Sequence, residues 1–146
     1  MKFDNFCKFA GSDGVILVAP NGKKWLCYGK TGMLIPENKN VCGNVANMPD
    51  YLTELIYEAE YEACELTSAF VPNPDSKPSE LMRMFTGMHN TIDISNKAFG
   101  FIEKKDSTYI ATYEDEETSY TALLVTDDYN EDDLEFKMIY IVKESK

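Results

Sequence analysis

The pattern of apolar and polar positions predicts a β-hairpin close to the start of the chain. Apolar runs at 14–19 and 24–28 flank the segment Pro20-Asn21-Gly22-Lys23. Asn-Gly between two apolar runs is the strongest short-range signal for a two-residue hairpin turn. A second turn at 29–32 leads to a short third strand at 33–35, and a loop rich in Pro, Asn and Gly follows at 36–48.

Apolar residues at helical spacing predict one long helix from Asp50 to about Phe70. Pro49 and Asp50 suit the first turn of a helix, and Pro72 ends it. One narrow stripe of this helix would face the core. Its members are Leu52, Leu55, Ile56, Ala59, Ala63, Leu66 and Phe70. An extended linker at 71–78 and a short second helix from Ser79 to about Met88 complete the helical part.

The C-terminal part of the chain predicts a four-stranded meander. Strands are expected at about 98–104, 107–113, 119–126 and 134–142, with connections too short for parallel neighbours. The predicted fold class is therefore α+β. An antiparallel sheet, made of the N-terminal hairpin and this meander, packs against one long and one short helix in a single domain over residues 1–146.

The charge of the chain is strongly negative and unevenly distributed. The net charge is −11, and the excess of acidic residues lies entirely after residue 49. Arg83 is the only arginine. Proteins that grip phosphates are seldom this acidic and this poor in Arg, so direct binding to nucleic acid or to an anionic membrane is disfavoured.

Two acidic clusters stand in the predicted turns of the meander. In a simple meander these turns lie at opposite ends of the sheet. Acidic turns commonly serve solubility and protect strand edges, whereas the functional interpretation is an electronegative docking surface for a basic groove. The first cluster is Glu114, Asp115, Glu116 and Glu117, and the second is Asp127, Asp128, Glu131, Asp132, Asp133 and Glu135.

The predicted long helix adds a polar face to this picture. Glu54 and Glu58 lie on the flank of the core stripe, and Tyr57 and Tyr61 lie opposite it. Two tyrosines one turn apart, flanked by glutamates, make a plausible contact patch. In the alternative, residues 72–90 fold back and cover both tyrosines.

No motif in the chain predicts catalysis or metal binding. The segment Gly29-Lys30-Thr31 lacks the earlier glycine of a phosphate-binding loop, and the acidic run that starts at Asp128 has Ile139 where a calcium loop needs Glu. His89 is the only histidine, and the four cysteines show no paired spacing, which is typical of reduced thiols in a cytosolic protein. We therefore predict no catalytic residue, metal or cofactor.

The resulting functional hypothesis is a non-enzymatic inhibitor in the cytoplasm. Its acidic surface would engage a basic groove of another protein, such as a nuclease, in the manner of a nucleic-acid mimic. Size and charge suggest an analogy with phage or mobile-element proteins that inhibit host defence, including anti-CRISPR proteins. The alternative is a structural subunit of a virion or other assembly, using apolar strand edges and exposed tyrosines. A third hypothesis is an enzyme or small-ligand carrier whose site no local motif reveals.

Overall fold

The computed structural model describes residues 1–72, 81–130 and 132–146, and within them the chain is mostly β-sheet. The helical segments are short: α1 (Phe3–Ala10), α2 (Asp50–Thr53) and α3 (Asn96–Phe99), with a 3-10 turn at Gly11–Asp13 and a π turn at Glu54–Glu58. The strands are β1 (Val15–Val18), β2 (Lys24–Tyr28), β3 (Thr31–Leu34), β4 (Asn44–Asn47), β5 (Tyr61–Pro72), β6 (Leu81–Gly87), β7 (Thr91–Ser95), β8 (Ser107–Glu114), β9 (Thr118–Thr126) and β10 (Met138–Ser145).

These strands form one mixed sheet in the order β4-β1-β2-β3-β10-β9-β8-β5-β6-β7. Only β1 and β4 run parallel; the other neighbours are antiparallel. The pairing of β3 with β10 joins the N-terminal strands to the C-terminal ones. β5 pairs with β8 through Tyr61–Ala63 and with β6 from Cys64 onward, so this strand joins the β6–β7 hairpin to the rest of the sheet.

Side chains alternate between the two faces of the central strands and build two cores. In β9, Leu123 and Val125 point to the first core, whereas Ala122 and Leu124 point to the second. The first core is closed by α1, α3 and the β6–β7 hairpin, which contribute Phe6, Ala98, Phe85, Ile92 and Ile94. The second core is closed by α2 and the π turn, which contribute Leu52, Leu55 and Ile56. Both faces are covered, as the apolar runs of β9 and β10 require.

The predicted long helix is wrong beyond its first two turns. The helical segment stops at Glu58, and Ala59 adopts an extended conformation with φ −67° and ψ 148°. Leu52, Leu55 and Ile56 are buried as expected, but Leu66 is exposed. From Tyr61 the chain is a strand, so the later members of the predicted stripe do not share a face. The side chain of Phe70 lies outside the described residues.

The predictions of the second helix and of the first meander strand are also wrong. The predicted second helix is strand β6, and the predicted strand at 98–104 is replaced by the end of α3 and a loop. Residues 73–80 lie outside the described residues. They include most of the predicted linker and Ser79, where the predicted second helix would begin. The other three meander strands correspond to β8, β9 and β10. The α+β fold with one long helix is thus wrong, and the structure is a ten-stranded mixed sheet with three short helices.

The sequence missed three further elements: α1, strand β7, and the short strand β4 inside the predicted loop at 36–48. No helix within the described ranges has both the length and the apolar character needed to cross a membrane.

Candidate binding surface

Tyr61 brings the second acidic cluster into contact with β5. The ring of Tyr61 meets the ring of Phe136 edge-on, with centroids 5.0 Å apart, and that of Tyr109 at 5.3 Å. Phe136 follows Glu135 in the loop between β9 and β10. Tyr61 keeps 44% of its surface exposed although its ring is held by two aromatic neighbours. Its position therefore suits a contact residue that is fixed before any partner arrives.

Tyr57 is tied to the same end of the sheet through β2. Its hydroxyl accepts a hydrogen bond of 2.9 Å from Nε1 of Trp25, which is fully buried. Lys23, two residues before Trp25, forms an ion pair with Glu135 of the acidic loop. That hydrogen-bonded pair raises the pKa of Lys23. Tyr57 itself is 39% exposed. Residues 73–80, which belong to the segment that would cover both tyrosines in the alternative interpretation, lie outside the described residues.

Three acidic residues of the β9–β10 loop stabilise the conformation of that loop. Asp128 accepts a hydrogen bond of 2.8 Å from the backbone N–H of Glu135, and the hydroxyl of Thr126 donates to the Glu135 carbonyl at 2.7 Å. Lys137 pairs with both Asp127 and Asp128. Its hydrogen bond lowers the pKa of Asp127. These contacts close the loop and neutralise part of its charge.

The rest of the loop presents its charge to solvent. Asp132 and Asp133 are exposed and form no ion pair with any described residue. Tyr129, at the tip of the loop, is 80% exposed. Glu131 lies outside the described residues. We use the name acidic-tyrosine surface for this end of the molecule, defined by Tyr57, Glu58, Glu60, Tyr61, Tyr129, Asp132 and Asp133.

Sequence reasoning missed two members of this surface. Glu60 and Tyr129 are both exposed, and neither was named as a candidate from the sequence. Tyr129 lies between acidic and amide residues inside the second cluster, and this composition was the only signal for it. Glu54 was named in advance, and its side chain is half-buried on the π turn while Glu58 is exposed.

The first acidic cluster lies at the other end of the same strands. Glu114, Asp115, Glu116 and Glu117 form the turn between β8 and β9, and all four are exposed. Asp115 accepts hydrogen bonds from the backbone N–H groups of Glu117 and Thr118 at 2.9 and 2.8 Å, which lower its pKa. Glu114 pairs with Lys146 at 3.3 Å. The two predicted acidic sites are therefore separate surfaces.

Glu62, in strand β5, holds the turn between β6 and β7. Its carboxylate accepts hydrogen bonds from the backbone N–H groups of His89 and Asn90 at 3.1 and 2.8 Å. Burial opposes its charged form, but these hydrogen bonds outweigh that effect and lower its pKa. His89 therefore contributes its backbone here, and its side chain is exposed.

Burial keeps two of the four cysteine thiols protonated. Burial raises the pKa of Cys27 to about 12 and that of Cys64 to about 11. A thiolate is the nucleophilic form of cysteine, so both groups are protonated and inert at neutral pH. Within the described residues, no group of three or more His, Cys, Asp or Glu side chains is arranged to hold a metal ion. Comparisons with protein-family models, curated proteins and solved structures gave no match to this chain.

Proposed function

We propose that the protein is a non-enzymatic binder whose acidic-tyrosine surface engages a basic groove of a partner protein. The observation that carries the proposal is the contact of Tyr61 with Phe136 of the β9–β10 loop, together with the anchoring of Tyr57 and of that loop on β2 and the residue before it. Tyr61 touches Phe136, and Tyr57 is connected through Trp25 and Lys23 to Glu135. Exposed aromatic rings thus lie beside a loop that carries unpaired carboxylates.

The two kinds of residue supply different parts of recognition. Exposed tyrosines provide amphipathic contact area, and tyrosine is enriched among the residues that dominate binding energy. Exposed carboxylates such as Asp132 and Asp133 steer a positively charged partner and raise its association rate. Because Asp127, Asp128 and Glu135 already hold the loop closed, little ordering entropy is lost on binding.

The proposal extends to the kind of partner. Basic grooves on proteins commonly receive the phosphate backbone of nucleic acid. A carboxylate-rich surface that occupies such a groove excludes the nucleic acid and inhibits its owner. We therefore place the protein among inhibitors of nucleic-acid-binding proteins, such as phage or mobile-element inhibitors of host nucleases acting in the host cytoplasm. The acidic excess of the chain supports this proposal.

A charge-matched pair of variants tests the surface. Asp132→Asn/Asp133→Asn removes two charges from the acidic-tyrosine surface, and Glu116→Gln/Glu117→Gln removes two charges at the opposite end. We expect the first variant to bind the partner captured from host extract at low salt roughly tenfold more weakly. The second variant should bind as the parent does. Equal losses in both variants, or no loss in either, contradict the proposal.

A competition experiment tests the inhibitory part. The captured partner is purified, and its complex with the protein is titrated with duplex DNA and with RNA at constant ionic strength. Displacement by either nucleic acid is expected, because both ligands would occupy one groove. A complex that withstands both nucleic acids places the binding site elsewhere and rules out the mimicry.

The edge strand β4 favours a second candidate function, a subunit of an assembly. β4 lies at one edge of the sheet among the described residues, all four of its residues are exposed, and Val45 is 61% exposed. An edge with unpaired backbone groups can accept a strand from a second copy. Light scattering tests this candidate. A stable oligomer that Val45→Lys disrupts supports it, and a monomer at high concentration contradicts it.

A further inference from the structure

A cavity of about 330 Å³ lies between α2 and the sheet, on the side of the second core. Aliphatic side chains from β1, α2 and β10 form one part of its wall, and the β2–β3 hairpin forms the other. This volume is at the lower end of the range for small-molecule sites. The apolar wall residues are Leu17, Leu52, Ile139 and Ile141.

Gly32 keeps the cavity open at its floor. A Cβ atom at this position would lie 3.1 Å from Sγ of Cys27 and 3.2 Å from Cγ2 of Ile139, both of which belong to cavity-lining residues. A side chain here would therefore take up space inside the cavity. The neighbouring Thr31, which is buried, lines the same region.

The charge of the cavity is opposite to that of the molecule. Its lining residues include Lys30 and Lys143 and no Asp or Glu, although the chain has a net charge of −11. Neither lysine forms an ion pair within the described part of the chain. Burial keeps the thiol of Cys27 uncharged by raising its pKa to about 12. The cavity is thus a local positive site with apolar walls.

An aromatic pair holds one of the lysines at the cavity. Nζ of Lys143 lies 4.6 Å from the centre of the Tyr51 ring, and this ring stacks on Tyr120 with centroids 4.5 Å apart. A cation over an aromatic face keeps its hydrogen-bond donors free for an anion. Lys30 lies in a separate element, the turn between β2 and β3. Its backbone carbonyl accepts a hydrogen bond of 2.9 Å from the backbone N–H of Ile141.

We propose that this cavity binds a small amphipathic anion, a monocarboxylate with a short aliphatic or aromatic tail. The tail packs among the leucine and isoleucine side chains, and the carboxylate lies between Lys30 and Lys143. The site is independent of the acidic-tyrosine surface and of any protein partner.

Octanoate and 1-octanol are suitable probes because they share a tail and differ in charge. Titration is followed by amide chemical shifts in ¹⁵N-labelled protein. We expect saturable shifts at Lys30, Gly32, Tyr51, Leu52 and Ile141, and tighter binding of octanoate than of 1-octanol. The absence of saturable shifts with octanoate, or equal affinity for the two probes, overturns the proposal.

Charge-matched variants assign the carboxylate to its lysines. Lys30→Gln/Lys143→Gln should weaken octanoate roughly tenfold and leave 1-octanol unchanged. Lys104→Gln/Lys105→Gln, which removes two exposed lysines from a distant loop, should change neither affinity. Ile141→Phe, which fills the tail space, should weaken both probes. Unchanged octanoate affinity in the first or the third variant overturns the proposal, and thermal unfolding of each variant confirms that it is folded.

Discussion

At the scale of single residues, Glu62 and Gly87 form one unit. The carboxylate of Glu62 binds the backbone of the turn at His89 and Asn90, and it reaches this position by passing over Gly87. A Cβ atom on Gly87 would lie 2.7 Å from Oε1 of Glu62. A side chain at position 87 would therefore force the Glu62 carboxylate to move away from the turn.

We predict that Gly87→Ala lowers the free energy of unfolding measurably, because it displaces the Glu62 carboxylate from the turn. Urea denaturation measures the change. Gly43→Ala is the control, since its Cβ would come no closer than 3.4 Å to another atom. The double variant Glu62→Ala/Gly87→Ala should be no less stable than Glu62→Ala alone. Additive losses in the double variant would show that the two residues act separately.

The pairing of Asp127 with Lys137 predicts a pH dependence. The hydrogen bond from Lys137 lowers the pKa of Asp127 in the folded state below its unfolded value of about 3.9. The resulting stabilisation is present above that value and is lost as the pH falls through the folded pKa. Asp127→Asn should therefore cost less than about 1 kcal/mol at pH 7, because the pair is partly exposed, and less still at about pH 3. A deficit that stays constant from pH 7 to pH 3 would disprove this origin.

At the scale of elements, local patterns predicted the strands whose neighbours are close in sequence. β2, β8 and β9 lie where alternation and turn residues place them. β5 was mistaken for a helix because Ala63, Leu66 and Phe70 continue the helical spacing that begins at Leu52. Its strand conformation depends on partners in β8 and β6, and this long-range pairing has no local signature.

For the candidate surface, the sequence predicted several of the residues but not which of them lie close together. The acidic loop was named from composition alone, and Tyr57 and Tyr61 were named from a helix that ends at Glu58. Their meeting with Phe136 follows from the position of β5 in the sheet, which sequence spacing does not contain.

A hydrogen bond from Trp25 of β2 to Tyr57 links the π turn at Glu54–Glu58 to the sheet. A substitution that removes this hydrogen bond tests its contribution to stability. Tyr57→Phe leaves Nε1 of the buried Trp25 without its acceptor, so we expect a loss of about 1–2 kcal/mol in the free energy of unfolding. Trp25 is the only tryptophan, so its fluorescence reports the transition directly. Tyr61→Phe removes a hydroxyl without a hydrogen bond to any described residue and should change stability little. Equal stability of Tyr57→Phe and the parent protein would contradict this role.

At the scale of the whole molecule, negative and positive side chains occupy different regions. Carboxylates concentrate at both ends of the central strands, whereas Lys30 and Lys143 face a cavity on the second-core side. Several ion pairs, including Lys23 with Glu135 and Lys146 with Glu114, offset only part of the acidic excess. The folded state therefore carries a net self-repulsion.

This repulsion predicts that salt stabilises the protein. Raising the NaCl concentration from about 0.01 M to about 0.15 M shortens the screening length from about 30 Å to about 8 Å. The melting temperature should rise, by roughly 2–4 °C for each kcal/mol gained. Calorimetry or circular dichroism measures the shift, and Glu116→Gln/Glu117→Gln should show a smaller rise. A fall in melting temperature would mean that the ion pairs outweigh the repulsion.

The pairing of β3 with β10 has a consequence for biosynthesis. During translation, the N-terminal strands leave the ribosome with the β3 edge unsatisfied until Met138–Ser145 follows. Throughout that interval the nascent chain exposes apolar residues such as Met33 to solvent, and exposed apolar surface is the feature that chaperones recognise. Synthesis of this molecule is therefore expected to rely on protection of the emerging chain, and stalled or prematurely terminated products are expected to be insoluble.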